Sequence, residues 1–306
     1  MIFLPRDFIE TKEGLVFAVV DSIAENGKVL AFLRYAPTGK LTTETANFLL
    51  SESYPQYLHY STRLDAKLHA VPLHDITRHH QPRVRMQQLL ANKPKDAIEA
   101  KLLRLVKLLA DTGFDLTVLG VTGSLLIGRQ TLNSDVDLVV YGRVYFFQVI
   151  ATVRGLVEVG QLDTLNTEAW HDAYGRRGCE LSFDEYLWHE RRKGNMGMID
   201  GTKFDLALIA EESAPKTETA WHKTGFAVIK AQVLDDTRTF DQPARYPINH
   251  AEIGEVLSFT QTYTGQAKTG ETIEAAGQVE VSSDGRKRLV VGSSREALGQ
   301  FVRVIA

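Results

Sequence analysis

Cysteine is almost missing from this 306-residue chain, where Cys179 stands alone. One thiol forms no internal disulfide, so nothing points to a disulfide-stapled secreted scaffold. No apolar run nears the roughly 18 residues that a membrane-spanning helix needs. The opening MIFLPRDFIE interrupts its apolar start at Pro5, Arg6 and Asp7, too soon for the apolar region of a secretion signal. Charge of one sign is also lacking. The net charge of −3 supplies no global cationic field for nucleic acid. Long-period repeats and low-complexity tracts are missing too. A cytoplasmic protein is the expectation. What is present is ordinary for a globular chain: 44% hydrophobic and 24% charged residues. The length predicts more than one domain.

Three regions emerge along the chain. Residues 1–94 form a β-containing N-terminal region. Within it, residues 13–35 read as a hairpin around Asn26-Gly27, a pair suited to a type I′ turn. The weaker pattern from 41 to 92 predicts short helices. Residues 95–214 read as a mixed α/β core opened by a helix over DAIEAKLLRLVKLLADTG. There Asp96 serves as cap and Glu99 as its capping-box partner, and Gly113 ends the helix. A strand is expected over 115–119, a short helix from Ser124, a strand over 135–141 and helices over 144–156 and from Ser182. A second hairpin turns at Asp200-Gly201. EESAPKTET, 211–219, has the composition of a linker. Residues 215–306 read as a small β-rich domain or barrel. The fold class expected is α+β.

The chemistry-bearing stretch is LGVTGSLLIGRQTLNSDVDLVVYG, 119–142. Asp135 and Asp137 begin a strongly apolar strand. Positions i and i+2 share one face of a strand, so the two carboxylates point the same way. Like charges at close range drive one carboxyl to take up a proton, unless a divalent cation removes the penalty. All-oxygen ligation suits Mg²⁺ shared with substrate phosphates. Upstream, Gly123-Ser124 lies at a strand-to-helix turn, where glycine permits close backbone approach and free N–H groups favour phosphate. A two-metal phosphoryl site, with ions roughly 3.5–4 Å apart, needs a further ligand. KFDLALI supplies Asp205 in a strand-like context. Asp200 is the rival, but it sits in the expected turn.

GS, ten residues and then DVD, with a later strand acid, resembles the DNA polymerase β-like nucleotidyltransferase superfamily. The whole chain also looks like the predicted nucleotidyltransferases of archaea. The resemblance covers about a third of the chain and implies a nucleotidyltransferase-like mixed sheet with flanking helices. It implies that Asp135 and Asp137 hold a nucleotide-bound Mg²⁺, with Mn²⁺ as a substitute. All three acids would hold a second ion, and Asp205 would help activate an acceptor hydroxyl. Gly123 and Ser124 would hold phosphates of a nucleoside triphosphate. The implied reaction moves a nucleoside monophosphate to an acceptor hydroxyl, with an RNA end expected. Nucleotidylation of a protein or small molecule, and a non-catalytic nucleotide- or nucleic-acid-binding protein, are the alternatives. The resemblance names no oligomeric state.

Other groups admit plainer readings. Arg192 and Lys193 end a helix, where cations complement the dipole; they are also candidates for gripping a triphosphate. Arg63–Lys107 holds ten Lys or Arg against four Asp or Glu. That stretch is either a phosphate-contacting groove or a solvated surface. The spacing of His69, His74, His79 and His80 fits no usual zinc pattern.

Overall fold

The computed structural model describes residues 2–210, 219–292 and 298–305. Most of the expected linker therefore lies outside the described residues. The class is α+β, as the sequence predicts, with a further β region at the C-terminal end. The described residues form two compact units. One draws on 1–59, 68–165 and 194–213, and the other on 60–67, 166–193 and 214–306.

In the first unit, the chain begins with strands β1 (Phe8–Thr11), β2 (Val16–Val19), β3 (Lys28–Ala36) and the short β4 (Gly39–Lys40). Helix α1 (Thr43–Ser53) is followed by β5 (Leu58–Ser61), β6 (Ala66–Pro72) and β7 (Ile76–His80). Five of these strands run in the order β6-β3-β2-β1-β7, with β4 on β3. The expected turn is present. Asn26 and Gly27 adopt φ of 49° and 73°, and Glu25 and Lys28 exchange both backbone hydrogen bonds. The sheet buries both faces. Ile9, Phe17 and Leu33 pack with Ala46, Leu50 and Tyr57, whereas Phe8, Val16 and Tyr35 pack with Leu126. A register shift makes this division possible. Phe17 faces Leu33 but Val16 faces Tyr35, so the extra residue Arg34 turns Tyr35 to the opposite face.

The core follows with α2 (Pro82–Leu90), α3 (Ala97–Asp111), β8 (Leu119–Val121), α4 (Gly123–Leu126), β9 (Val136–Tyr141) and α5 (Arg143–Glu158). After helices α6 (Thr167–Arg177) and α7 (Phe183–Lys193), which belong to the second unit, come β10 (Met196–Ile199) and β11 (Thr202–Ile209). The four strands align as β10-β11-β9-β8. Helix α3 buries Ile98, Leu102, Leu105, Val106 and Leu109 along one stripe. Asp96 accepts from Ile98 N–H and Glu99 N–H. Glu99 returns the bond one residue further back, to Lys95 N–H. The second hairpin turns at Asp200 and Gly201, with φ of 48° and 73°.

The structure corrects several expectations. Residue 94 is no unit boundary, because α2 lies before it and packs on β8. At Gly120 of β8, an added Cβ would come within 2.7 Å of Pro82 Cβ. The strand expected over 115–119 is instead a short 3₁₀ turn, Leu116–Val118, leading into β8. Asp115 favours that turn by accepting from Thr117 N–H. The region 41–92 holds β5, β6 and β7 beside its helices. Helix α6 occupies a stretch whose low apolar content concealed it, and Asn166 caps it by accepting from Ala169 N–H.

The second unit ends in β12 (Trp221–Val233), β13 (Ala244–Asn249), β14 (Glu255–Ser258), β15 (Thr272–Ser282), β16 (Lys287–Val291) and β17 (Phe301–Ile305). Pairing runs β12-β13-β14-β16-β15 and returns from β15 to β12, with β17 added on β15. Ile229, Val233, Tyr246, Val256, Ile273, Ala275 and Leu289 fill its interior.

Candidate functional site

Parallel pairing of β9 and β11 sets Asp137 directly against Asp205. Neighbouring strands lie about 4.8 Å apart and paired side chains share a face, so the two carboxylates converge. Asp135 precedes β9 by one residue and joins them from two positions upstream. Asp205, the acid that the sequence offers in KFDLALI, thus stands opposite Asp137 on β11. Its rival Asp200 sits in the β10–β11 turn and is ion-paired to Arg104.

Gly123-Ser124 reaches the same place through β8, which runs antiparallel on the other side of β9. Thr122 N–H donates to Asp137 C=O at 2.9 Å, fixing the chain as it leaves β8. Gly123 then takes φ of 65°, and an added Cβ would lie 3.0 Å from Asp137 Cγ and closer still to Oδ2. Glycine is required here twice, by its backbone and by the carboxylate against it. Ser124 is the second residue of α4, and its C=O accepts from Arg129 N–H at 2.9 Å.

Lys203 Nζ stands between the acids, 3.1 Å from Asp135 Oδ2 and 3.2 Å from Asp205 Oδ2. Burial pushes the Asp137 carboxyl up to about 6, aided by the charges of Asp205 and then Asp135, and opposed by Lys203 and Arg6. Crowded carboxylates tempered by cations have the donor set and the charge for divalent metal. As they stand, however, no group of three or more His, Cys, Asp or Glu among the described residues is placed to hold an ion. The lysine ammonium takes up the space between two of the three acids.

The site has members that sequence patterns did not reveal. Arg6, whose charge is felt at Asp137, adopts φ of 79°, a left-handed backbone uncommon for a side-chain-bearing residue. The surrounding contacts enforce it. Arg6 N–H donates to Val19 C=O at 3.1 Å, and Arg6 C=O accepts from Thr122 Oγ at 3.0 Å. Asp7 accepts from Leu4 N–H and lies 2.7 Å from His79 Nε2. Tyr35, turned by the β3 bulge, feels the charge of Asp137, and burial raises its hydroxyl pKa. Arg129 lies over the Tyr35 ring, 5.8 Å from its centroid. No periodicity marks Arg6. The only visible signal was charge interrupting the apolar start.

Arg192 and Lys193 are committed within their own unit. Lys193 is buried, bound to Glu190 at 2.5 Å and to Thr262 C=O at 2.7 Å. Arg192 pairs with Glu271 and lies over the Trp188 ring. Burial and its two bonds make Lys193 a packing element, whereas the Arg192 side chain stays partly exposed. In the basic stretch, Arg85 pairs with Glu99, His80 with Glu10 and Lys101 with Thr202 Oγ. No group of metal-holding His side chains appears among the described residues. No helix among them is long and apolar enough to cross a membrane.

No family model matches the chain, and no solved structure matches it. Over 333 aligned positions, and 98% of each chain, it is 34% identical to Uncharacterized protein MJ1086 of Methanocaldococcus jannaschii. The chain belongs to the family of that protein.

Proposed function

We propose that this protein is a metal-dependent nucleotidyltransferase, moving a nucleoside monophosphate from a nucleoside triphosphate to an acceptor hydroxyl. The supporting observation is the register of Asp137 against Asp205, with Gly123 pressed on the Asp137 carboxylate. Three acids on one sheet face beside a glycine turn suit phosphoryl chemistry better than a structural role. Uncompensated, they raise the cost of ionising Asp137.

Asp135, Asp137 and Asp205 would hold Mg²⁺ or Mn²⁺. When bound, the metal would neutralise phosphate charge and lower the pKa of an acceptor hydroxyl. Gly123 lets the backbone approach the phosphates, and Ser124 offers a hydroxyl donor beside them. Arg6 adds a fixed positive charge near the acids. Positioning and electrostatic compensation are the main sources of rate in such a site. An RNA end is the favoured acceptor class.

The test is pyrophosphate release from nucleoside triphosphates in Mg²⁺, with labelled nucleotide offered to an RNA pool, a protein extract and no acceptor. Transfer should depend on metal and vanish in the Asp135→Asn/Asp137→Asn variant. Unchanged transfer in that variant overturns the assignment. The Lys203 bridge favours a second reading, in which the acids are neutralised internally and the protein binds nucleotide or RNA without transfer. Metal-independent nucleotide binding with no pyrophosphate release selects it.

A further inference from the structure

Lys203 precedes Asp205 by two residues on β11, so both side chains meet the same sheet face. It also precedes Phe204, which pairs with Val136, and this brings it level with Asp135. Its side chain is only 11% exposed, and its ammonium touches one oxygen of each carboxylate. The lysine is therefore held between the acids, away from open solvent.

An ammonium and a divalent ion seek the same oxygens by different means. The ammonium donates hydrogen bonds, whereas Mg²⁺ coordinates directly at about 2.0–2.1 Å. Two cations sharing Asp135 Oδ2 and Asp205 Oδ2 would face each other at a few ångströms, where like charges repel strongly.

We propose that Lys203 is an internal counter-ion that holds Asp135 and Asp205 together and must withdraw when a divalent cation binds between them. The inference rests on reading these acids as metal ligands. Metal uptake is then an exchange of cations. The lysine keeps the carboxylates gathered before metal arrives, and its departure weakens the apparent metal affinity.

Mn²⁺ titration of the full chain without nucleotide, followed by electron paramagnetic resonance, tests this directly. Lys203→Met keeps the length and removes the charge. It should tighten Mn²⁺ binding at least about tenfold, because a unit charge leaves the neighbourhood of the ion. Lys203→Arg, which keeps the charge, should stay close to wild type. Lys203→Gln provides the same comparison should the Met variant fail to fold by circular dichroism. Equal or weaker Mn²⁺ binding in the uncharged variant overturns the counter-ion role. Absence of Mn²⁺ binding in every variant overturns it together with the metal reading. Tighter Mn²⁺ binding without any pyrophosphate release supports the counter-ion role and removes only the transfer reading.

Discussion

Gly123 lies so close to the carboxylate of Asp137 that a Cβ on the glycine would come within 3.0 Å of Asp137 Cγ. Gly123→Ala therefore forces either the turn or the acid to move. It also adds the left-handed backbone cost of about 1–2 kcal/mol. The variant should fold with a lowered melting temperature and lose at least about 100-fold in pyrophosphate release, since misplacement by about 1 Å costs that much. Wild-type turnover in Gly123→Ala would show that the turn takes no part in the chemistry.

Arg6 offers a test that separates stability from the proposed activity. Glycine adopts φ of 79° freely, so Arg6→Gly should leave stability within about 1 kcal/mol of wild type. Loss of the guanidinium should raise the KM for nucleoside triphosphate. Denaturant midpoints and initial rates together check this. A steep stability loss with unchanged KM would make Arg6 a purely structural residue.

Lys193 offers the converse. Lys193→Ala leaves the Glu190 carboxylate buried without its partner, a loss of about 3–5 kcal/mol. Calorimetry of the variant measures it. A mild stability change would contradict the buried-pair description.

His189 is nearly inaccessible. Its Nδ1 lies 2.7 Å from Glu185 C=O, and its Nε2 accepts from Val304 N–H at 3.1 Å. A proton added at Nε2 would confront another donor. Burial accordingly pushes the ring down to about 4 from 6.5. The unfolded chain binds the extra proton between these values. Stability is thus fully present above pH 6.5 and falls as the pH drops toward 4, by about 3 kcal/mol at most. Urea midpoints at pH 7 and 4.5 should converge in His189→Gln relative to wild type. Parallel behaviour of the two proteins would refute the assignment.

Local chemistry was legible in the sequence. Asn26-Gly27 and Asp200-Gly201 announced their turns because few dipeptides adopt two consecutive left-handed residues. Asp96 announced α3, and period-two placement put Asp135 and Asp137 on one face. Non-local information was hidden. The bulge at Arg34 that turns Tyr35 to the opposite face leaves no mark in the hydrophobic pattern, and neither does the charge of Arg6 felt at Asp137. Nothing in the sequence pattern sets Lys203 apart, and only the β9–β11 register brings it beside Asp135. The burial of Lys193 was likewise invisible, since a helix-ending cation normally faces water.

The two units interleave along the chain, with stretches 60–67 and 166–193 assigned away from their sequence neighbours. No single scissor cut separates one unit from the other. A fragment trimmed to 95–214 would forfeit Arg6 and Tyr35, yet would keep α6 and α7 stripped of the strands they belong with. A cut at residue 94 falls inside the first unit, which runs through 68–165, so a fragment meant to test the proposed chemistry must carry the opening sheet along.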